Sequence, residues 1–356
     1  MRRFHGKAWL SLVSAALMIA QASAEETAAL SPLEVLRSRD LSVVTALIQT
    51  DGRSARIEVE VIEDDGLAAG EPLVDLGSAT KFVTAVAVLR LVDEGLIGLR
   101  SPLRELLPKV PRDKAAVTVH QLLTHTSGVT ESTGSDGEWL SRDAFLERVL
   151  GTPLLHPPGG GYHYSNAGYS LLAAVVEVAS GKTYEGYLSD SILRPLGLPP
   201  IGYEAAYDPD RSLRSSRSWR TLFRRMPIRS ASWGGHAPGW NLIGNGGAVA
   251  TAEGFLRFWQ AFLAGRIVDP DLVALALTPH ADEGTGSSFY GYGLVVERSE
   301  SLGTVYWHDG GNEVFSAEWR HLDASGTTLF AAGPGDGGFD AMELLLQGMA
   351  RERPLR

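Results

Sequence analysis

Leu76-Gly77-Ser78-Ala79-Thr80-Lys81-Phe82-Val83-Thr84-Ala85-Val86 places a hydroxyl and an amine three residues apart at the start of an otherwise apolar helix. Residues i and i+3 share one helix face, so both polar ends reach the same small volume. Gly77 lets the chain turn sharply into the helix, whose free N–H groups and positive dipole end favour a developing anion. Phe82, Val83, Ala85, Val86, Val88, Leu89, Leu91 and Val92 make the helix apolar almost all round, which marks it as a core helix and puts Lys81 beside buried surface. Burial makes an unpaired ammonium costly and lowers its pKa toward the range where a neutral amine takes a proton. The chain has 5 Lys against 27 Arg, yet a titratable amine is kept at position 81. A serine nucleophile beside a base is one reading of the pair. A surface lysine near a helix start is the other, and the spacing alone does not separate them.

Outward from this helix the pattern changes to strands. Ser42 to Thr50 and Ala55 to Glu63 are rich in branched residues, with Asp51-Gly52 between them as a hairpin turn signal. Four more strand-like runs lie near the C-terminus, roughly Tyr290 to Glu297, Gly303 to Trp307, Val314 to Leu322 and Thr327 to Ala332, and an amphipathic helix from about Phe339 to Met349 follows. Antiparallel strands at both ends of a chain usually share one sheet covered by helices. The region between is mostly helix and loop: Ala167 to Ser180 is a strongly apolar helix ended by Gly181, and Thr251 caps a helix carrying Phe255, Phe258, Trp259, Phe262 and Leu263. A short helical stretch near Ser31 to Arg39 precedes the first strand. The expected fold class is α+β, an antiparallel sheet from both chain ends (about 31–100 and 281–356) flanked by helices, with an inserted mainly helical subdomain (about 101–280). There is no internal repeat and no long low-complexity linker.

Arg2, Arg3 and Lys7, the apolar run Ala8 to Ala20 and the small-residue site Ala22-Ser23-Ala24 read as an export signal over residues 1–24. The run is too short to span a bilayer, and no other segment is long and apolar enough, so the expectation is a periplasmic or secreted domain over 25–356 without stable membrane insertion. The formal charge of -10 argues against general nucleic-acid binding. With no cysteine there is neither thiol catalysis nor a disulfide framework.

Three further stretches bear on a site. Pro157-Pro158-Gly159-Gly160-Gly161-Tyr162-His163-Tyr164-Ser165-Asn166 is a loop running into the apolar helix, able to aim the Tyr164 phenol and the Asn166 amide into a cleft; the alternative is that Tyr164 packs and Asn166 caps the helix. Trp307-His308-Asp309-Gly310-Gly311-Asn312 ends a strand, where glycines let a substrate approach the backbone and His308 can donate a hydrogen bond or serve structure. In His120-Gln121-Leu122-Leu123-Thr124-His125-Thr126-Ser127-Gly128, His125 and Ser127 read as scaffold residues that hydrogen-bond a loop, and the histidine spacing fits no usual metal pattern. No metal or cofactor is expected.

The order and spacing of S-x-x-K, Y-x-N and H-x-G resemble the serine β-lactamase and penicillin-binding protein superfamily, in particular the branch of class C β-lactamases, D,D-peptidases and β-lactamase-like esterases. The resemblance runs from about residue 42 to 350 and takes in Leu91-Val92-Asp93-Glu94-Gly95, Arg194-Pro195-Leu196-Gly197-Leu198 and Gly246-Gly247-Ala248-Val249-Ala250-Thr251. It implies a β-lactamase/transpeptidase-like fold and an acyl-enzyme on Ser78. It implies that Lys81 and Tyr164 share the proton handling, with the principal base left open, that Asn166 orients substrate and Lys81, and that the Ser78 and Gly311 amides form the oxyanion hole. Small-molecule ester, amide, peptide or β-lactam substrates are implied, with cell-wall fragments among them. One departure stands out: His308-Asp309-Gly310 replaces the usual Lys-Thr-Gly, whose lysine and threonine hold a substrate carboxylate. Neutral histidine beside an acid is a weaker anion site, which leans toward esters or amides lacking the carboxylate.

The seven arginines between Arg211 and Arg229 either recruit anionic cell-wall fragments to the cleft or form a solvated helix face. An α/β-hydrolase reading fails for want of G-x-S-x-G, a phosphate loop at Gly181-Lys182-Thr183 lacks its first glycine because Val176 stands there, and H-E-x-x-H is missing. The rival from another class is a penicillin-binding sensor that acylates without turnover.

Overall fold

The alternating runs at the two ends of the chain pair into one sheet in the computed structural model, which describes residues 45–50, 53–57, 72–206, 233–312 and 314–351. The expected leader, the stretch Ser31 to Arg39 and the arginine run from Arg211 to Arg229 lie outside the described residues. The strands are β1 (Thr45–Thr50), β2 (Arg53–Ile57), β3 (Leu73–Asp75), β4 (Val249–Thr251), β5 (Ala281–Asp282), β6 (Ser288–Tyr290), β7 (Val295–Ser299), β8 (Gly303–Gly311), β9 (Phe315–Leu322) and β10 (Thr327–Pro334). Eight form an antiparallel sheet in the order β2-β1-β10-β9-β8-β7-β6-β5, so the N-terminal hairpin docks on the last strand. β3 and β4 make a separate two-stranded sheet.

Period-two alternation assigns the two faces of the large sheet. Ala46, Ile48, Leu329 and Ala331 pack against Ala341, Met342 and Leu345 of the C-terminal helix. Leu47, Ala317, Trp319, Phe330 and Ala332 face the other way into the main core. Four helices matter for the site: α1 (Thr80–Asp93), α2 (Asn166–Ser180), α3 (Ala252–Leu263) and α4 (Gly337–Arg351). α1 is the centre of the main core. The Phe82 ring is met by Phe255, Phe258, Trp259, Phe262 and Trp319 at centroid distances of 5.2–6.4 Å, so one side chain ties α1 to α3 and to β9. Burying such a ring contributes about 1.5–3 kcal/mol.

Thr251 caps α3 through the Gly254 amide, and Gly181 ends α2 with a left-handed φ of 69°. Ser165, not Asn166, caps α2: its Oγ accepts from Gly168 N (2.8 Å) and donates to Thr130 O (2.7 Å). The expected strand Tyr290 to Glu297 is broken into β6 and β7. The cause is close packing, because a Cβ on Gly293 (φ 73°) would lie 2.6 Å from the carbonyl oxygen of Lys81, and the chain turns there to let α1 approach. β8 runs four residues past the expected Trp307, carrying His308 to Gly311 as strand rather than as a following loop.

Candidate active site

Ser78 is delivered by a short strand and a strained turn. β3 leads to Gly77, whose amide donates to Asp75 Oδ1 (2.7 Å) and whose φ of 47° suits glycine. A single 3-10 turn, Gly77–Ala79, then carries Ser78 into α1. One turn on, Lys81 is buried in α1 with its Nζ 3.0 Å from Ser78 Oγ, and it donates to the carbonyl of Asn245 (2.6 Å). Asn245 is itself fixed, its side-chain amide donating to Ser170 Oγ of α2 and to Asn241 O.

Tyr164 and His308 both line the site. The Tyr164 ring lies 4.8 Å from Lys81 Nζ, and its phenol interacts with Ser78. His308 Nδ1 lies 2.6 Å from the carbonyl of Asp309, an acceptor only, so Nδ1 carries the proton and Nε2 accepts from Tyr290 Oη (3.0 Å). Both ring nitrogens are therefore committed within the protein.

The glycines of β8 touch the backbone of Gly77 and Ser78. A Cβ on Gly77 would fall 2.6 Å from Gly310 C and 2.7 Å from Gly311 N, and one on Gly310 would collide with the amide nitrogen of Ser78. Asn312 N donates to Phe315 O (2.9 Å), and bonded pairs alternate with unbonded ones along an antiparallel ladder. Gly311, opposite Ser316, is thus an unbonded position, and its N–H points away from β9 toward the side where β7 has ended opposite Trp307. The Ser78 and Gly311 amides lie on either side of this glycine contact.

Ser78, Tyr164, His308, Gly310 and Gly311 line one cleft of about 490 Å³, whose walls include Tyr162, Trp307 and Phe339. That volume suits a small ligand. Of the residues expected at the site, Lys81 and Asn166 do not line it: Lys81 is buried beneath Ser78. Asn166 is the first residue of α2, and its Oδ1 is buried without a hydrogen-bond partner among the described residues.

Burial lowers the Lys81 amine to about 7, against the opposing pull of Asp136, Asp309 and Glu131. Burial raises the Tyr164 phenol, its interaction with Ser78 acts the other way, and Asp309, Glu131 and Glu283 raise it further. Burial also pushes His308 down to about 4, opposed by Asp309 and reinforced by Lys81, so the imidazole is neutral. His125 and Ser127 hold loops: His125 Nδ1 accepts from Ser165 N (3.0 Å) and Ser127 Oγ from Val129 N (3.2 Å). No group of three or more His, Cys, Asp or Glu among the described residues is spaced to hold a metal, and none of the described helices is long and apolar enough to cross a membrane.

Asn245, Tyr290 and Glu283 were not singled out by sequence. Asn245 had a signal in Gly244-Asn245-Gly246-Gly247, where glycines on both sides mark an exposed carbonyl in a tight turn. Tyr290 and Glu283 had none, since their place depends on how β5 and β6 dock at the sheet edge.

The Beta-lactamase family model matches residues 43–332. The chain is 35% identical over 206 residues to esterase EstB of Burkholderia gladioli, covering 50% of this chain and 51% of that protein. It is 25% identical over 274 residues to penicillin-binding protein 4* of Bacillus subtilis, covering 72% of this chain and 60% of that protein. It thus spans roughly half to three-fifths of the length of these relatives. In three dimensions it is similar to the penicillin binding protein from Bacillus halodurans, with a TM-score of 0.73 and 23% identity over 90% of this chain and 99% of that one. The D-amino acid amidase from Ochrobactrum anthropi SV3 shares the fold equally, with a TM-score of 0.73 and 20% identity over 92% of this chain and 100% of that one. Since the family model spans most of the chain and the sheet and helices are arranged as in a penicillin-binding protein, the chain belongs to the beta-lactamase family, in the superfamily of serine β-lactamases and penicillin-binding proteins.

Proposed function

We propose that this protein is an exported serine hydrolase that cleaves small esters or amides, esterase-like or D,D-peptidase-like, through an acyl-enzyme on Ser78. The observation that carries the reading is the 3.0 Å approach of Lys81 Nζ to Ser78 Oγ at the floor of the cleft. With its amine lowered to about 7, Lys81 is neutral in a large share of molecules at neutral pH and takes the Ser78 proton as Oγ attacks the carbonyl carbon. The Ser78 and Gly311 amides hold the carbonyl oxygen as it becomes negative. Tyr164 keeps its proton at neutral pH, so it donates to the departing alcohol or amine and is reprotonated by Lys81. Water then repeats the sequence on the acyl-enzyme. Asn166, whose buried Oδ1 has no hydrogen-bond partner among the described residues, serves to orient Lys81.

The neutral, doubly bonded His308 gives a substrate carboxylate little hold, which supports esters or amides over β-lactams. The likeness to an esterase supports the same preference. The test is kcat/KM of the protein without residues 1–24 on a chromogenic short-chain ester and a chromogenic cephalosporin, with Ser78→Ala as control. The expected result is a Ser78-dependent preference for the ester and an acyl mass adduct on Ser78. Turnover surviving in Ser78→Ala overturns the mechanism, and release of a single equivalent of product makes the protein a sensor.

A further inference from the structure

Two carboxylates, Asp309 and Glu283, line the cleft, and no lysine or arginine does so among the described residues. Glu283 is engaged, accepting from Tyr162 Oη (2.8 Å) and from Ser288 Oγ. Asp309 is open: its side chain is 53% exposed, and among the described residues the basic nitrogen it meets, His308 Nδ1 at 3.7 Å, belongs to a neutral ring. Arg320, two residues along β9 from the Glu318 that pairs with Asp309, is already engaged: it binds Glu318 (2.5 Å) and Glu297 (3.2 Å) and lies over the Trp307 ring. Asp309 also stands close to the chemistry. The next residue, Gly310, touches the Ser78 amide, and the Asp309 charge acts on both Lys81 and Tyr164.

We propose that Asp309 is a specificity-determining residue that favours small esters or amides carrying a protonated amine and rejects those carrying a carboxylate. The proposal deepens the hydrolase reading and rests on Ser78 being the nucleophile. The cause is Coulombic: a partly exposed carboxylate lowers the free energy of a nearby ammonium and raises that of a nearby carboxylate. At such a site the two effects together separate the substrates on the order of tenfold. Added salt weakens the separation.

Three chromogenic esters of equal acyl length test it, ending in an ammonium, a methyl or a carboxylate group. Their kcat/KM values are measured on the wild type and Asp309→Asn at low and high salt, and their Kd values on Ser78→Ala by calorimetry. The expected wild-type order is ammonium, methyl, carboxylate, with an ammonium-to-carboxylate ratio of roughly 10 or more that falls at least about fivefold in Asp309→Asn and shrinks with salt. A wild-type ratio near one, or one unchanged in Asp309→Asn, overturns the proposal. Turnover that survives in Ser78→Ala overturns the nucleophile instead, and the Kd ratio still judges Asp309 by itself.

Discussion

The base role proposed for Lys81 comes at the expense of stability. In the folded chain its amine sits at about 7 against the usual 10.5, so between those values the unfolded chain holds the extra proton and stability climbs with pH. Lys81→Met removes that penalty, and its Tm at pH 7 is expected to exceed the wild-type value while ester turnover disappears; an unchanged or lower Tm contradicts the sign. Catalysis follows the same proton. Below about 7 the amine is charged and cannot act as a base, so kcat/KM should fall close to tenfold per pH unit on the acid side, with a midpoint near 7. Lys81→Arg keeps the positive charge and cannot release it, and kcat is expected to drop by roughly 1000-fold or more. A pH profile flat between 5 and 8 would remove Lys81 from the role of base.

At the scale of elements, the site is made where β8 meets the turn into α1, and that contact is backbone against backbone. Gly310→Ala places a methyl group on the Ser78 amide and must push β8 away from the nucleophile. The loss expected is about 100- to 1000-fold in kcat, as for removal of one oxyanion donor, and stopped-flow acylation rates should carry most of it. Sequence spacing made Ser78 and Lys81 legible, because i and i+3 on a helix is a local relation. It made β8 legible only as far as Trp307, since the alternation that marks a strand ends where glycines begin. The hold on Lys81 showed only as a glycine-flanked turn: Asn245 lies 164 positions away and contributes a carbonyl, which any residue possesses. The split of β6 from β7 was hidden for a related reason, since only the packing of α1 against Gly293 requires it. Ser165 was passed over as the cap of α2 in favour of its neighbour, although serine is among the preferred residues for that position.

For the whole molecule, the main core is continuous from the sheet through α1 into α2, with Phe82 in contact with α3 and β9 and Thr84 bonded to Gly244 O and Tyr184. The cleft therefore opens along a seam that is packed beneath it by this core. The glycine contact at this seam has an evolutionary consequence. The amides of Ser78 and Gly311 are set by main chain alone, so positions 308 and 309 can change side chain without moving them. Selection for a new substrate can then act on two neighbouring codons while the main-chain arrangement around Ser78 is inherited intact. The paired exchange His308→Lys with Asp309→Thr should raise the cephalosporin-to-ester ratio of kcat/KM by on the order of tenfold, because it supplies a cation and removes an anion at one stroke. A seam of this kind lets the side chains beside the cleft change while the main chain beneath them stays in place.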